Sequence, residues 1–445
     1  MKKARPTIAL ISYGCAKNLV DSEVMLGILS GAGYAFSEDA AAADIIILNT
    51  CGFIQPARDE ASAAIRDALR FKRTRGPKTV VVAGCYVEKD RQRLAELYPE
   101  VDAWLGVKDF DQIGSLLRSE PFHPSNTTFL YSHDTPRVLS TPLGWAYLKI
   151  SEGCSRACSF CSIPAIKGPY RSRPIESIVD EARALAAQGV RELDIVSQDT
   201  TSYGRDLGLK DGLVRLLRAL LEVREAEWIR FLYGYPDEVS DALLEIMAEP
   251  KICRYLDIPF QHAHPDVLLR MGRGLPGDRA LRLVAKIRAR LPGAAIRTSL
   301  IVGFPGEGRA EFQALLRFVE EARFDHLGVF SYSFESGSPA APFGDPVKDG
   351  VKQRRKDTLM ELQAGISHER NRSRLGSRVP VLIEGARSDA SRLLIGRGPF
   401  QAPEVDGVIE VDARRAGDPA ALTGTIQQVE ITAADVYDLR GKIIG

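Results

Sequence analysis

Three cysteines fall within eight residues, Cys154-Ser-Arg-Ala-Cys158-Ser-Phe-Cys161, in C-x3-C-x2-C spacing. From Trp145 to Arg173 there is no histidine and no other cysteine. The segment therefore lacks the fourth ligand a closed zinc site needs. Three thiolates at this spacing suit an iron–sulfur cube with one iron left open, where a small molecule can bind and be activated. The alternative is three incidental core cysteines, but core cysteines do not usually cluster with Ser, Arg and Ala in a polar loop.

A second set is dispersed. Cys15 (SYGCAKN), Cys51 (NTCGF) and Cys85 (AGCYVE) lie 36 and 34 residues apart, each just beyond an apolar run. The strand ends of one parallel sheet can bring them together, and the number is again three. They also fit the ordinary packing of small cysteines in an α/β core. Cys253, without a partner cysteine in its segment, reads as a packing residue. His262 and His264 are separated by one residue and read as pocket or loop residues.

The elements that must position these residues alternate. Thr7–Ser12, Asp44–Asn49 and Thr79–Ala83 are short runs rich in Ile, Val and Leu, each followed by a polar turn and a helical pattern. This predicts an N-terminal parallel α/β domain over 1–125. A stretch rich in Pro, Ser, Thr and His (Pro121–Pro142) reads as a linker, placed at 126–143. The alternation restarts over 144–370, with strands expected at Ala146–Ser151, Glu192–Ser197, Trp228–Gly234, Arg254–Pro259, Ala294–Val302 and His326–Tyr332. Six βα units fit a partial (βα)6 barrel rather than a closed eight-fold one. A charged helix is expected over Val351–Ser367. From 375 to 445 short alternating runs (Val379–Glu384, Arg392–Arg397, Val408–Asp412, Gly424–Thr432, Val436–Leu439) predict a small antiparallel β-barrel.

In 445 residues, 45% are hydrophobic and 26% charged, with a formal net charge of +1. Whole-chain charge thus makes no case for a nucleic-acid or membrane partner. No apolar run approaches the roughly 18 residues of a membrane span. The N-terminal apolar run is too short for a signal peptide and reads as a first strand. An odd number of cysteines without a disulfide framework points to a reducing cytoplasm.

C-x3-C-x2-C with Phe160 before the third cysteine resembles the signature of radical S-adenosylmethionine enzymes. In that family the open iron chelates the cofactor, and electron transfer yields a 5′-deoxyadenosyl radical. GCAKNLVDSE (Gly14–Glu23), NTCGFI (Asn49–Ile54) and Gly84-Cys85, followed by the radical motif and a terminal barrel, resemble the methylthiotransferases. These share an N-terminal cluster domain, a radical domain and an OB-like TRAM domain. The resemblance implies two [4Fe-4S] clusters, one on Cys154, Cys158 and Cys161 and one on Cys15, Cys51 and Cys85. It also implies S-adenosylmethionine as methyl donor and radical source, a sulfur donor, and an electron donor such as flavodoxin or ferredoxin.

SQDTTSYG (Ser197–Gly204), YLDIPFQH (Tyr255–His262) and QAPEVDG (Gln401–Gly407) resemble the branch that methylthiolates an aspartate β-carbon of ribosomal protein S12. Gln401 and Tyr13 stand where that branch often has Asp and a smaller aliphatic residue. The segment 377–445 holds roughly eight basic and ten acidic residues, whereas a tRNA-binding barrel is expected to show a basic face. By resemblance the cofactor pocket draws on Phe160, Ser197, Gln198, Asp199, Tyr233, Gln261, Gly303 and Glu307, with Tyr235 and His262 nearby. Gly303-Phe-Pro-Gly306-Glu307 lacks the Gly-Lys-Ser/Thr ending of a P-loop. Two rival readings are methylthiolation of a tRNA adenosine and a non-catalytic iron–sulfur protein that binds RNA.

Overall fold

The computed structural model describes residues 6–74, 78–387, 393–414 and 418–444. In chain order the strands are β1 (Thr7–Ser12), β2 (Ala35–Phe36), β3 (Ile45–Thr50), β4 (Thr79–Gly84), β5 (Ala103–Leu105), β6 (Trp145–Lys149), β7 (Ser151–Glu152), β8 (Arg171–Ser172) and β9 (Glu192–Val196). They continue as β10 (Trp228–Phe231), β11 (Tyr255–Asp257), β12 (Ala295–Val302), β13 (His326–Ser331), β14 (Arg378–Ala386), β15 (Leu393–Arg397), β16 (Ile409–Asp412), β17 (Ile426–Ala434) and β18 (Leu439–Ile443). Two compact units emerge: Met1–Ser140 with Lys149–Ile178 and Ser333–Ala341, and Thr141–Leu148 with Val179–Tyr332 and Pro342–Gly445.

The first unit is built on a parallel sheet in the order β2-β1-β3-β4-β5. Every residue of β3 is buried, because helices cover both faces, and a strand covered twice reads as one continuous apolar run. Ile45, Ile47, Val81 and Ala83 enter one core; Ile46, Leu48, Val80 and Val82 enter the other. At about 1.5–3 kcal/mol per buried aliphatic side chain, these runs supply much of the unit's stability. The strands β2 and β5 are too short to leave a pattern in the sequence.

The segment expected as a linker has no helix or strand from Arg118 to Gly144, yet it is fastened to the first unit. Glu23, fully buried, accepts hydrogen bonds from Arg137 Nε (2.9 Å), Arg137 Nη2 (2.6 Å) and the Ser140 amide (2.7 Å). The strand expected over Ala146–Ser151 is interrupted at Ile150. There the chain leaves the barrel sheet so that β7 pairs antiparallel with β8, Ser151 opposite Ser172 and Glu152 opposite Arg171.

The second unit carries the partial barrel. Its strands form two three-stranded sheets, β10-β9-β6 and β11-β12-β13, with a parallel bridge from Ile229 to Ile252 between β10 and the approach to β11. The β9–β10, β11–β12 and β12–β13 pairs are parallel. The charged helix runs from Asp349 to Arg372, longer at both ends than the expected Val351–Ser367.

The terminal barrel closes in the order β14-β15-β16-β18-β17. Four of its pairs are antiparallel, as expected; the fifth, β16 with β18, is parallel, because β17 lies between them in the chain and supplies the crossover. The last strand also differs from the expected Val436–Leu439. Residues 435–438 form the turn, with the Asp435 amide donating to Asp438 O at 2.9 Å, and the strand begins at Leu439. Arg392 lies outside the described residues.

Candidate active site

The strand order places β1, β3 and β4 side by side, and one cysteine follows each of them. Cys15 caps the helix Ala16–Gly31, Cys51 directly follows β3, and Cys85 opens the helix Cys85–Leu97. Register aligns the strand ends, with Ser12 opposite Asn49 and Thr50 opposite Gly84. Two helix N-termini therefore face this edge, where their dipoles favour thiolate.

Glycine makes the approach possible. Gly14 has φ +99°, and a Cβ there would lie 2.7 Å from Cys51 Cβ and 3.3 Å from its Sγ. Gly84 has φ +103°, and a Cβ there would lie 2.4 Å from both Asn49 Oδ1 and Thr50 O. At these two positions only a residue without a side chain fits between the strand ends from which the cysteines leave. Asn18 stitches the turn: its Nδ2 donates to Tyr13 O (3.1 Å) and Thr50 O (3.3 Å), and Cys85 Sγ lies 3.6 Å from its Oδ1. Asn49 in turn donates to Asn18 O and Ser22 Oγ, both at 2.8 Å.

Burial pushes the Cys51 and Cys85 thiols up. The Phe53 amide and Lys17 oppose this at Cys51, and Lys167 opposes it at Cys85. Cys15 also raises both, so the three thiols lie within electrostatic reach of one another. An all-sulfur donor set in a glycine-walled cradle fits an iron–sulfur cluster, whose binding there would release protons.

The other triplet occupies a loop closed at its neck by β7 and β8. Cys154 is buried, while Cys158 and Cys161 are partly exposed. The Cys154 amide donates to Gly168 O (3.1 Å), the Cys161 amide to Cys158 O (3.1 Å), and the Ile163 amide reaches Cys161 Sγ at 3.4 Å. Backbone N–H groups aimed at sulfur are a common means of tuning a cluster. Phe160 is partly buried in the same loop. These residues also fit the expected metal group: three thiols on one tightly turned, pinned loop.

In the second unit the remaining expected residues lie beyond the C-terminal strand ends. Ser197 and Asp199 are buried after β9, with Gln198 partly exposed between them. Asp199 caps the next turn, accepting from Thr201 Oγ1 and Ser202 Oγ, both at 2.7 Å. Tyr233 (φ +63°) and Gln261 (φ +70°) are left-handed without being glycine. That conformation is sparsely populated and concentrates at functional sites. Tyr233 is held by its amide to Asp257 Oδ2 (3.2 Å), and Gln261 by its backbone to Ser299 O and from Ile301 N.

Glu307 is fully enclosed by protein partners: the Gly303 amide (3.0 Å), His262 Nε2 (3.1 Å) and Arg355. His262 Nδ1 accepts from the His264 amide at 3.0 Å, so Nε2 carries the proton given to Glu307. This arrangement shapes the Gly303–Glu307 loop. Cys253 is buried, and burial pushes its thiol up to about 12, as suits a packing residue.

The stretch Gln401–Gly407 sits at the opposite end of the parallel strands, at their N-terminal mouth. Asp406 accepts from Tyr255 OH (2.6 Å) and the Ala402 amide (2.8 Å), and lies 3.4 Å from both Arg297 and His326. Glu404 meets Tyr147 OH at 2.9 Å. Beside it, buried Arg397 of β15 pairs with Glu192 of β9 (2.7 Å), which also holds Arg230 (2.7 Å). Gln401 is buried and its Oε1 accepts from the Gly398 amide, so the amide side chain serves the turn itself. A cavity of about 320 Å³ lined by Arg297, His326, Asp406 and Tyr437 belongs to this floor. Sequence reasoning read this stretch as a family signature; its structural partners were invisible because they come from four separate strands.

Three families match in order along the chain: an "Uncharacterized protein family UPF0004" at residues 7–106, the "Radical SAM superfamily" at 148–319 and the "TRAM domain" at 375–444. Over 445 residues the chain is 46% identical to the ribosomal protein uS12 methylthiotransferase RimO of Anaeromyxobacter sp. (strain Fw109-5), covering 99% of this chain and 94% of that one. The chain belongs to the uS12 methylthiotransferase family of radical S-adenosylmethionine enzymes. Its similarity to the RimO protein of Trichlorobacter lovleyi is 44% identity, covering 99% of each chain. The fold resembles that of TsrM from Kitasatospora setae, a radical S-adenosylmethionine methyltransferase solved with cobalamin and a [4Fe-4S] cluster. That match has a TM-score of 0.56 and 14% identity, covering 76% of this chain and 74% of that one. Membership of this family implies an iron–sulfur cluster and S-adenosylmethionine as cofactors.

Proposed function

We propose that this methylthiotransferase acts on ribosomal protein S12, adding a methylthio group to an aspartate β-carbon, and that it uses two [4Fe-4S] clusters. The observation that carries the two-cluster reading is the convergence of Cys15, Cys51 and Cys85 at one sheet edge, in addition to the Cys154 loop. When bound, the cluster of Cys154, Cys158 and Cys161 would supply the electron that cleaves S-adenosylmethionine, and that of Cys15, Cys51 and Cys85 would supply the sulfur.

The chain's own residues prepare these tasks. The β7–β8 neck and the amides around Cys154–Ile163 hold one set of thiols. The glycines and Asn18 hold the other. Phe160, Ser197, Gln198, Asp199, Tyr233, Gln261, Gly303 and Glu307 are assigned to cofactor binding, Asp199 and Glu307 by shaping the loops that carry it. The terminal barrel at 375–445 is assigned to gripping S12, after an N-terminal module at 1–125, a connecting segment at 126–143 and a radical module at 144–370. A sulfur donor and a flavodoxin- or ferredoxin-type electron donor complete the reaction, in the cytoplasm. Among the described residues no helix is long and apolar enough to cross a membrane.

Mass spectrometry of S12 and of tRNA nucleosides from a deletion strain tests the substrate. Loss of one methylthio group from S12, with tRNA unchanged, is expected. Intact S12 modification with loss of a methylthioadenosine from tRNA would overturn the assignment.

A further inference from the structure

Four charged side chains meet in the interior of the first unit. Asp21 lies on the helix headed by Cys15, Lys149 and Glu152 precede Cys154, and Lys167 ends the helix Ile163–Lys167 that follows Cys161. None is more than 4% exposed at its side chain. Each lysine reaches both carboxylates. Lys149 Nζ pairs with Asp21 and lies 2.8 Å from Glu152, and Lys167 Nζ lies 3.1 Å from Asp21 and 3.4 Å from Glu152. The Lys167 charge also bears on the Cys85 thiol, and Ile166 shares an apolar core with Cys85.

Such a ring is a poor device for stability alone, since apolar side chains of similar volume often serve as well or better. It specifies register instead, because a shift of either partner leaves a buried charge unpaired. A second tie runs in parallel. The Ala340 amide donates to Ser159 O (2.8 Å), while Glu335, in the same segment, pairs with Arg58 (2.8 Å) and Lys89 (2.5 Å). Arg58 in turn donates to Gly52 O (3.2 Å), next to Cys51.

We propose that the Asp21–Lys149–Glu152–Lys167 ring is a positioning device that fixes the Cys154–Cys161 loop against the Cys15–Cys51–Cys85 site, coupling cofactor cleavage to sulfur insertion. The inference rests on the two-cluster reading. Its test compares reconstituted wild-type holoenzyme with Asp21→Asn and Glu152→Gln. The readouts are iron content, the magnetic interaction between the reduced clusters by electron paramagnetic resonance, and 5′-deoxyadenosine formed per methylthiolated S12. Both variants are expected to retain full iron and cofactor cleavage but to show an altered cluster interaction. The ratio of 5′-deoxyadenosine to product should rise about tenfold or more, as misplacement on the scale of an ångström would cause. Asp21→Glu and Lys149→Arg, which keep charge but change length, give the same readouts where loss of a charge prevents folding. Unchanged interaction and ratio in folded variants would overturn the positioning role while leaving two clusters in place. A wild-type spectrum from a single cluster would overturn the reading beneath it.

Discussion

Gly84 shows how much of the site is decided by single residues. Its φ of +103° and the 2.4 Å approach to Asn49 Oδ1 leave no space for a methyl group. Gly84→Ala is expected to cost about 1–3 kcal/mol, seen as a lowered thermal midpoint, and to reduce iron bound at Cys15, Cys51 and Cys85. Full iron content at wild-type stability would contradict the cradle. At the other triplet, replacing Cys154, Cys158 and Cys161 together by Ala should abolish 5′-deoxyadenosine formation while one cluster remains; persistent formation would sink the assignment. The cysteines stand out in the sequence because their spacing and neighbours differ from those of core cysteines. Asp21, Lys149, Glu152 and Lys167 do not, since the group spans more than a hundred residues of sequence and nothing local marks a lysine in an apolar strand as paired. The GCAKNLVDSE stretch illustrates both cases. Its cysteine was readable, whereas Asn18, Ser22 and Glu23 acquire their jobs only from Thr50, Asn49 and Arg137.

At the level of elements, strands buried on both faces were easily read, because IIILNT and TVVVAG carry no polar alternation to confuse them with surface strands. Short strands were not: β7 and β8 form only because they meet each other, and that meeting defines the neck of the cysteine loop. The Gln401–Gly407 stretch changed meaning most. Its contacts at the N-terminal mouth of the partial barrel make it a fastening between β15 and the strands β6, β11, β12 and β13. Arg397 is central to this fastening. Arg397→Met would leave Glu192 and Glu384 short of a buried partner and is expected to cost about 3–5 kcal/mol in urea unfolding. A loss below about 1 kcal/mol would mean that the ion pairs contribute little to holding the floor.

Across the molecule, the same buried cluster predicts a pH dependence. Asp194 is fully buried beside Glu192. Burial first, and then the Glu192 charge, pushes its carboxyl well above the usual range, while Arg230 is aligned chiefly on Glu192. A raised folded-state value means that the native chain holds a proton the unfolded chain has released. Stability from this group is therefore full below the unfolded carboxylate range and is lost as pH rises through the folded value. Asp194→Asn removes that loss, so its advantage over wild type should grow from about pH 4 upward in thermal unfolding. An advantage that shrinks with rising pH would reverse the sign and refute the account. The module order itself was visible in the sequence, because each module has its own texture: apolar parallel runs, a three-cysteine loop, then short alternating strands.

The proposed division of labour gives the two sets of three cysteines different tasks. Its most direct test is the enzyme with Cys15, Cys51 and Cys85 replaced by Ala, supplied with S-adenosylmethionine, reductant, a sulfur source and S12. Cofactor cleavage with no methylthio group on S12 is the predicted result; methylthiolation at the wild-type rate would contradict it.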